Sequence, residues 1–141
     1  MSTPYESATL LIRLYELRRE TTMREAREWY ARGFNPSSAD EIPQILSGPY
    51  GGHFRMVTSY WDMAASFVLN GAIDETMFND ANGEHMVVFA KIEPFIADYR
   101  EKMGNPAYLA SLEKLAMKRE RAKEQLASIR DRFRAMALAA R

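Results

Sequence analysis

The sequence predicts an all-α fold, an irregular helical bundle of five to seven helices closed by a long C-terminal helix. Three observations predict it. Capping signals recur ahead of apolar residues set three and four apart. No segment alternates as a half-buried strand does, and the β-branched pairs Val57-Thr58 and Val87-Val88 sit inside helical patterns. Nothing after Pro106 is a glycine or proline. At 141 residues the chain has the size of a single domain, residues 1–141, and needs no staple to bury a core.

The elements follow in order. Thr3-Pro4-Tyr5-Glu6 is a capping box with proline at the first helical position, and Leu10, Leu14 and Leu17 follow at helical spacing. Thr22-Met23-Arg24-Glu25 offers a second box for a helix that carries Ala26, Trp29 and Tyr30 and stops at Gly33; alternatively the two threonines only bend one helix over 4–32. Residues 34–52 are irregular, with a short helix from Ser38 and a loop at Gly48-Pro49-Tyr50-Gly51-Gly52. That loop resembles a flexible lid but lacks the Gly-Lys-Ser/Thr ending of a phosphate-binding loop.

His53 to Asn70 is apolar on nearly three sides, with Arg55, Ser59, Asp62, Ser66 and Asn70 on one polar stripe, and is expected to be the most buried helix. Gly71 ends it and Asp74 caps a short helix with Met77 and Phe78. Glu84 to Met103 forms the next helix, kinked at Pro94 and ended by Gly104. The expected core is Leu10, Leu14, Leu17, Trp29, Met56, Tyr60, Phe67, Phe78, Phe89, Ile92, Phe95, Leu112 and Leu115.

Asn105-Pro106 opens the last helix, 106–141. Tyr108, Leu112, Leu115, Arg119, Ala122, Leu126, Ile129, Phe133, Met136 and Ala140 step by four and three along it, a heptad seam. Such a rod spans roughly 54 Å, against about 37 Å for the whole domain, so it should project or lie on a long partner. With Leu112 at an a position, the e and g positions hold Lys118, Lys123, Arg130 and Arg132 and no acid, which disfavours a parallel homodimer. The expectation is that Tyr108 to Ala122 packs on the domain. Leu126, Ile129, Phe133 and Met136 would then form an interaction surface for a protein partner or a second copy.

Net charge is zero, yet residues 52–99 carry two bases against seven acids and residues 105–141 nine bases against four acids. The basic terminal segment therefore matches the acidic middle, within the chain or from a neighbour. Nucleic acid is not expected: acids interleave the terminal bases, and no stacking platform accompanies them. The absence of cysteine excludes disulfides, thiolate nucleophiles and cysteine-bound zinc. No basic, apolar leader opens the chain and no run approaches the ~20 apolar residues of a membrane span, so the expected location is cytoplasmic.

Chemistry-bearing residues are sparse. Asp74, Glu75, Asp80 and Glu84 with His85 are the candidate acid/base or metal cluster, but a calcium loop aligned on Gly83 would put Phe78 and Phe89 where carboxylates are required. His53 and His85 stand 32 apart without a Glu-x-x-His or His-x-x-x-His spacing. Asp62, beside Trp61, is either a carboxylate with a raised pKa acting as a base, or a member of the Arg55–Ser59–Asp62–Ser66 stripe or the partner of an arginine from another helix. No catalytic, cofactor or metal residue is assigned. The reading is a non-enzymatic soluble interaction or assembly module; the alternative is a small enzyme or metal-binding protein using Asp62 with nearby acids or histidines.

Tyr60-Trp61-Asp62 through Gly71-Ala72-Ile73-Asp74 and Phe78, then Phe89-Ala90-Lys91-Ile92-Glu93-Pro94-Phe95-Ile96 and Arg100, resemble a group of small all-helical bacterial proteins of unknown function. Leu14-Tyr15-Glu16-Leu17-Arg18 and Met23-Arg24-Glu25-Ala26-Arg27 are similar too, and the likeness spans about residues 8–100. Relatives of this kind often carry N-terminal membrane segments. The resemblance implies an all-helical fold and a bacterial source, and no activity.

Overall fold

Helices in this chain begin where a side-chain oxygen meets free amides. Thr3 and Glu6 form the expected reciprocal box, Glu6 N–H to Thr3 Oγ1 at 3.1 Å and Thr3 N–H to a Glu6 carboxylate oxygen at 3.0 Å. They open α1, Pro4–Arg18. The computed structural model describes residues 1–140. Among these it contains nine α-helices, one 3₁₀ turn and no strand, more helices than the five to seven expected. The additional ones come from breaks in helices expected to be continuous.

The first break falls at Arg19–Glu20, so residues 4–32 form two helices. The Glu20 carboxylate accepts from Thr22 N–H at 3.1 Å and Met23 N–H at 3.0 Å and opens α2, Thr21–Gly33; the box expected at Thr22–Glu25 is not used. A short α3, Glu41–Ser47, follows. The expected 48–52 loop is shorter than predicted, because α4 already starts at Gly51 and runs to Leu69. It is no lid. A Cβ on Gly51 would stand 2.1 Å from the Leu46 carbonyl oxygen, so this corner closes only without a side chain.

Gly71, at φ +82°, ends α4, and Asp74 accepts from Met77 N–H at 2.9 Å to open α5, Glu75–Ala81. α6, Glu84–Ile92, and α7, Ile96–Met103, are joined by the 3₁₀ turn Glu93–Phe95 that Pro94 imposes. α4 lies at the centre, between α2, α3 and α8, and buries Phe54, Val57, Trp61, Ala64, Ala65 and Val68. Most of the expected core is buried or packed against it, with two corrections: Leu17 is 43% and Met56 36% exposed. Met56 shares with Ser59 and Met63 the stripe of α4 that stays at the surface.

The uninterrupted terminal helix is the main expectation overturned. Residues 106–109 form turns, α8 spans Ala110–Ala116, the chain breaks over 117–121, and α9 spans Ala122–Ala139. Residue 141, the end of the expected rod, lies outside the described residues. Leu109 and Arg121 both take left-handed backbone, each at φ 56°. The break turns α9 back across α6 and α2, burying apolar surface that a straight rod would leave in water. Leu126 is therefore fully buried, Ile129 and Phe133 are half-buried, and of the four expected partner residues only Met136 is exposed, at 52%.

Leu126→Ala should therefore lower unfolding free energy by about 2–5 kcal/mol, as removal of a buried leucine does. Met136→Ala should change it by no more than about 0.5 kcal/mol. Urea unfolding of the two variants checks the order; equal, small losses would return Leu126 to the surface.

Candidate functional site

The densest polar cluster forms where α1 ends, α6 begins and α2 and α4 pass between them. Arg27, on α2, directs Nε and Nη2 at the Glu84 carboxylate, at 2.9 Å to Oε2 and 3.0 Å to Oε1, and gives Nη1 to the Arg18 carbonyl at 3.1 Å. The Trp61 indole N–H donates to the same carboxylate at 3.1 Å. Glu84 occupies the first turn of α6, whose amides favour negative charge, while Gly83 brings no capping side chain. One guanidinium thus ties the carboxyl end of α1 to the amino end of α6.

Around this joint, the Arg18 guanidinium lies 5.4 Å over the Trp61 ring, and the Tyr60 hydroxyl donates to the Leu14 carbonyl at 2.6 Å. The hydrogen bond to Glu84 raises the Arg27 pKa above its ordinary value, and burial pushes the Tyr60 phenol up to about 12. Glu84 receives N–H donors on both oxygens. Chemically this is a clamp: charge-assisted hydrogen bonds engage both carboxylate oxygens and fix the side chain between three helices.

His85, the next residue, is buried between Trp61 and Phe78, with ring centroids 6.1 and 5.1 Å away. Neither ring nitrogen meets a protein partner. Burial, aided by Arg119, lowers its pKa to about 4, so the imidazole is neutral at physiological pH.

The other candidates stand apart. Asp62 Oδ1 accepts from Leu112 N–H at 2.9 Å and so caps α8 from another helix, a service that the left-handed Leu109 at the α8 N-cap position cannot give. His53 sits by Trp29 and Tyr50, at 6.3 and 6.1 Å between ring centroids. Of the acidic cluster, Asp74 caps α5, Glu75 bonds Lys118, Asp80 is exposed and Glu84 belongs to the clamp. Among the described residues, no three His, Asp or Glu side chains converge as metal ligands would.

Sequence reasoning missed three cations that hold helix ends. Lys91 gives its ammonium to the Tyr30 and Ala31 carbonyls, both at 2.8 Å, closing the end of α2; burial lowers its pKa to about 8. The signal for it was a single cation in the apolar run Met86–Ile92. Arg130 of α9 donates to the Ala90 carbonyl at 2.7 Å and to Glu93 at 3.1 Å. Arg100 donates to the Tyr108 carbonyl at 2.8 Å and to Glu113 at 3.0 Å. Arg130 on Glu93 and Lys118 on Glu75 join the basic terminal segment to the acidic middle within the chain.

A family model described as a domain of unknown function, DUF4760, matches residues 5–119. The chain belongs to this family. Arg27, Trp61, Asp62, Glu84, His85 and Lys91 all fall in the DUF4760 region, whereas α9 begins beyond it. Neither curated proteins nor solved structures give a match. No helix among the described residues is long and apolar enough to cross a membrane.

His85 makes the fold sensitive to acid. The unfolded imidazole binds a proton near pH 6.5 and the folded one only near 4, so between these values the unfolded state holds more protons. Stability should fall as pH drops from 6.5 to 4, by up to about 3 kcal/mol from this residue. In His85→Phe that part of the pH dependence should vanish from denaturant midpoints; an unchanged slope would assign it elsewhere.

Proposed function

We propose that this chain is a non-enzymatic helical interaction module that assembles with further copies of itself. The observation that carries the reading is a methionine-lined hollow on the outer side of α1, α2 and α4. Leu17, Met56 and Met63 surround it, 43, 36 and 39% exposed, with Met23 and Tyr60 buried in its floor and Glu20 and Ser59 at its rim. Large apolar groups gathered in a polar-rimmed depression mark contact sites, and unbranched methionine adapts to an irregular partner.

Net charge of zero at pH 7 supports a second copy as that partner, because no self-repulsion opposes association. The enzyme reading has less support. Asp62, His53 and His85 occupy three different surroundings, and Asp62 is already engaged by a backbone amide. The bacterial, cytoplasmic setting inferred from the sequence belongs to the same proposal.

Sedimentation velocity from micromolar to near-millimolar protein tests it. The expected result is reversible, concentration-dependent association that Met56→Lys with Met63→Lys weakens at least about tenfold while helicity is kept. A strict monomer across the range overturns the reading.

A further inference from the structure

We propose that α9 is an exchangeable arm, and that a second copy of this chain receives it on the face of α6 and α2 that the arm covers in the closed fold. The inference rests on the self-association proposed above and adds to the methionine hollow a second contact between the copies. The break that folds α9 back is Met117-Lys118-Arg119-Glu120-Arg121. All five are strong helix formers, with no glycine or proline among them, yet none is in a helix here. Arg121 closes the break in left-handed backbone, φ 56° and ψ 39°, which a residue with a Cβ rarely adopts. The three-and-four spacing of Leu112, Leu115, Arg119, Ala122 and Leu126 also runs across the break without a slip. Local preference and closed fold thus oppose each other at one hinge.

Returning Arg121 to right-handed backbone would join α8 and α9 into one rod, Ala110 to Ala139, of about 45 Å. The amides of Ala122, Lys123 and Glu124, which open α9 with no helical acceptor, would then find the carbonyls of Lys118, Arg119 and Glu120. The arm's contacts survive the exchange, since Leu126 in the core, Arg130 on Ala90 and Glu93, and Phe133 under Lys91 are the same whichever copy supplies α9. The closed form keeps Lys118 on Glu75 and Arg119 on Asn79, at the surface of α5. It also keeps the advantage of a tethered arm, so exchange grows with protein concentration.

The test compares dimer dissociation constants of wild type, Arg121→Gly and Arg121→Val by sedimentation, with hydrogen exchange read on the dimer. Glycine removes the left-handed penalty, about tenfold at each hinge, and a dimer has two hinges, so Arg121→Gly should raise the constant about a hundredfold. Valine resists left-handed backbone further and should lower it at least about tenfold. In the dimer the amides of Ala122, Lys123 and Glu124 should become protected, as inside a continuous helix. A dimer without that protection, or one indifferent to Arg121→Gly, overturns exchange and leaves association through another face standing. A monomer in every variant overturns both proposals. Should Arg121→Val fail to fold, Arg121→Gly, which relieves strain, decides alone.

Discussion

A helix of seven residues leaves as many amides and carbonyls unbonded as one of twenty, because four of each stay free whatever its length. Among the described residues three helices have that length and two more are only slightly longer, so the interior faces many bare helix ends. The Arg27–Glu84 joint is where this constraint is met most economically, since one guanidinium serves the carbonyl end of α1 and the carboxylate in the first turn of α6. Trp61, the largest side chain of the central helix, is fixed to the same carboxylate. Asp62 at α8, Lys91 at α2 and Arg130 at α6 repeat the device. Polar residues in this interior therefore hold helix ends together.

How much of this the sequence disclosed follows from the range of each interaction. Local signals read well: the Thr3 box, the Asp74 cap, the Pro94 kink and the terminating Gly71 and Gly104 each depend on residues within a turn of one another. The break at 117–121 could not be read locally, because its residues favour helix and the reward for breaking is burial of the Leu126 face of α9 against α6 and α2, which are distant in sequence. The cap on α8 was equally hidden, since its donor and acceptor are 50 residues apart. Asp62 stood out as a carboxylate beside indole, but whether that signals chemistry or capping depends on what α8 brings to it.

The same distinction applies to the titratable groups of the interior. Strong pKa shifts fall on His85, Lys91 and the phenols of Tyr30, Tyr60 and Tyr108, and in all of them burial is the first cause. Lys91 and Tyr60 serve helix carbonyls, and His85 fills an aromatic gap. The proposed self-association rests instead on surfaces: the methionine hollow of α1, α2 and α4, and the hinge before α9, where a helix-forming sequence is held out of a helix.

The central claim is that the polar interior is a set of joints between helix ends, with Arg27 and Glu84 the principal one. A double-mutant cycle on unfolding free energy with Arg27→Met and Glu84→Gln tests it most directly. The account predicts a coupling above about 1 kcal/mol, as for a half-buried charge-assisted pair. A coupling within the few tenths of a kcal/mol of an exposed ion pair would contradict it.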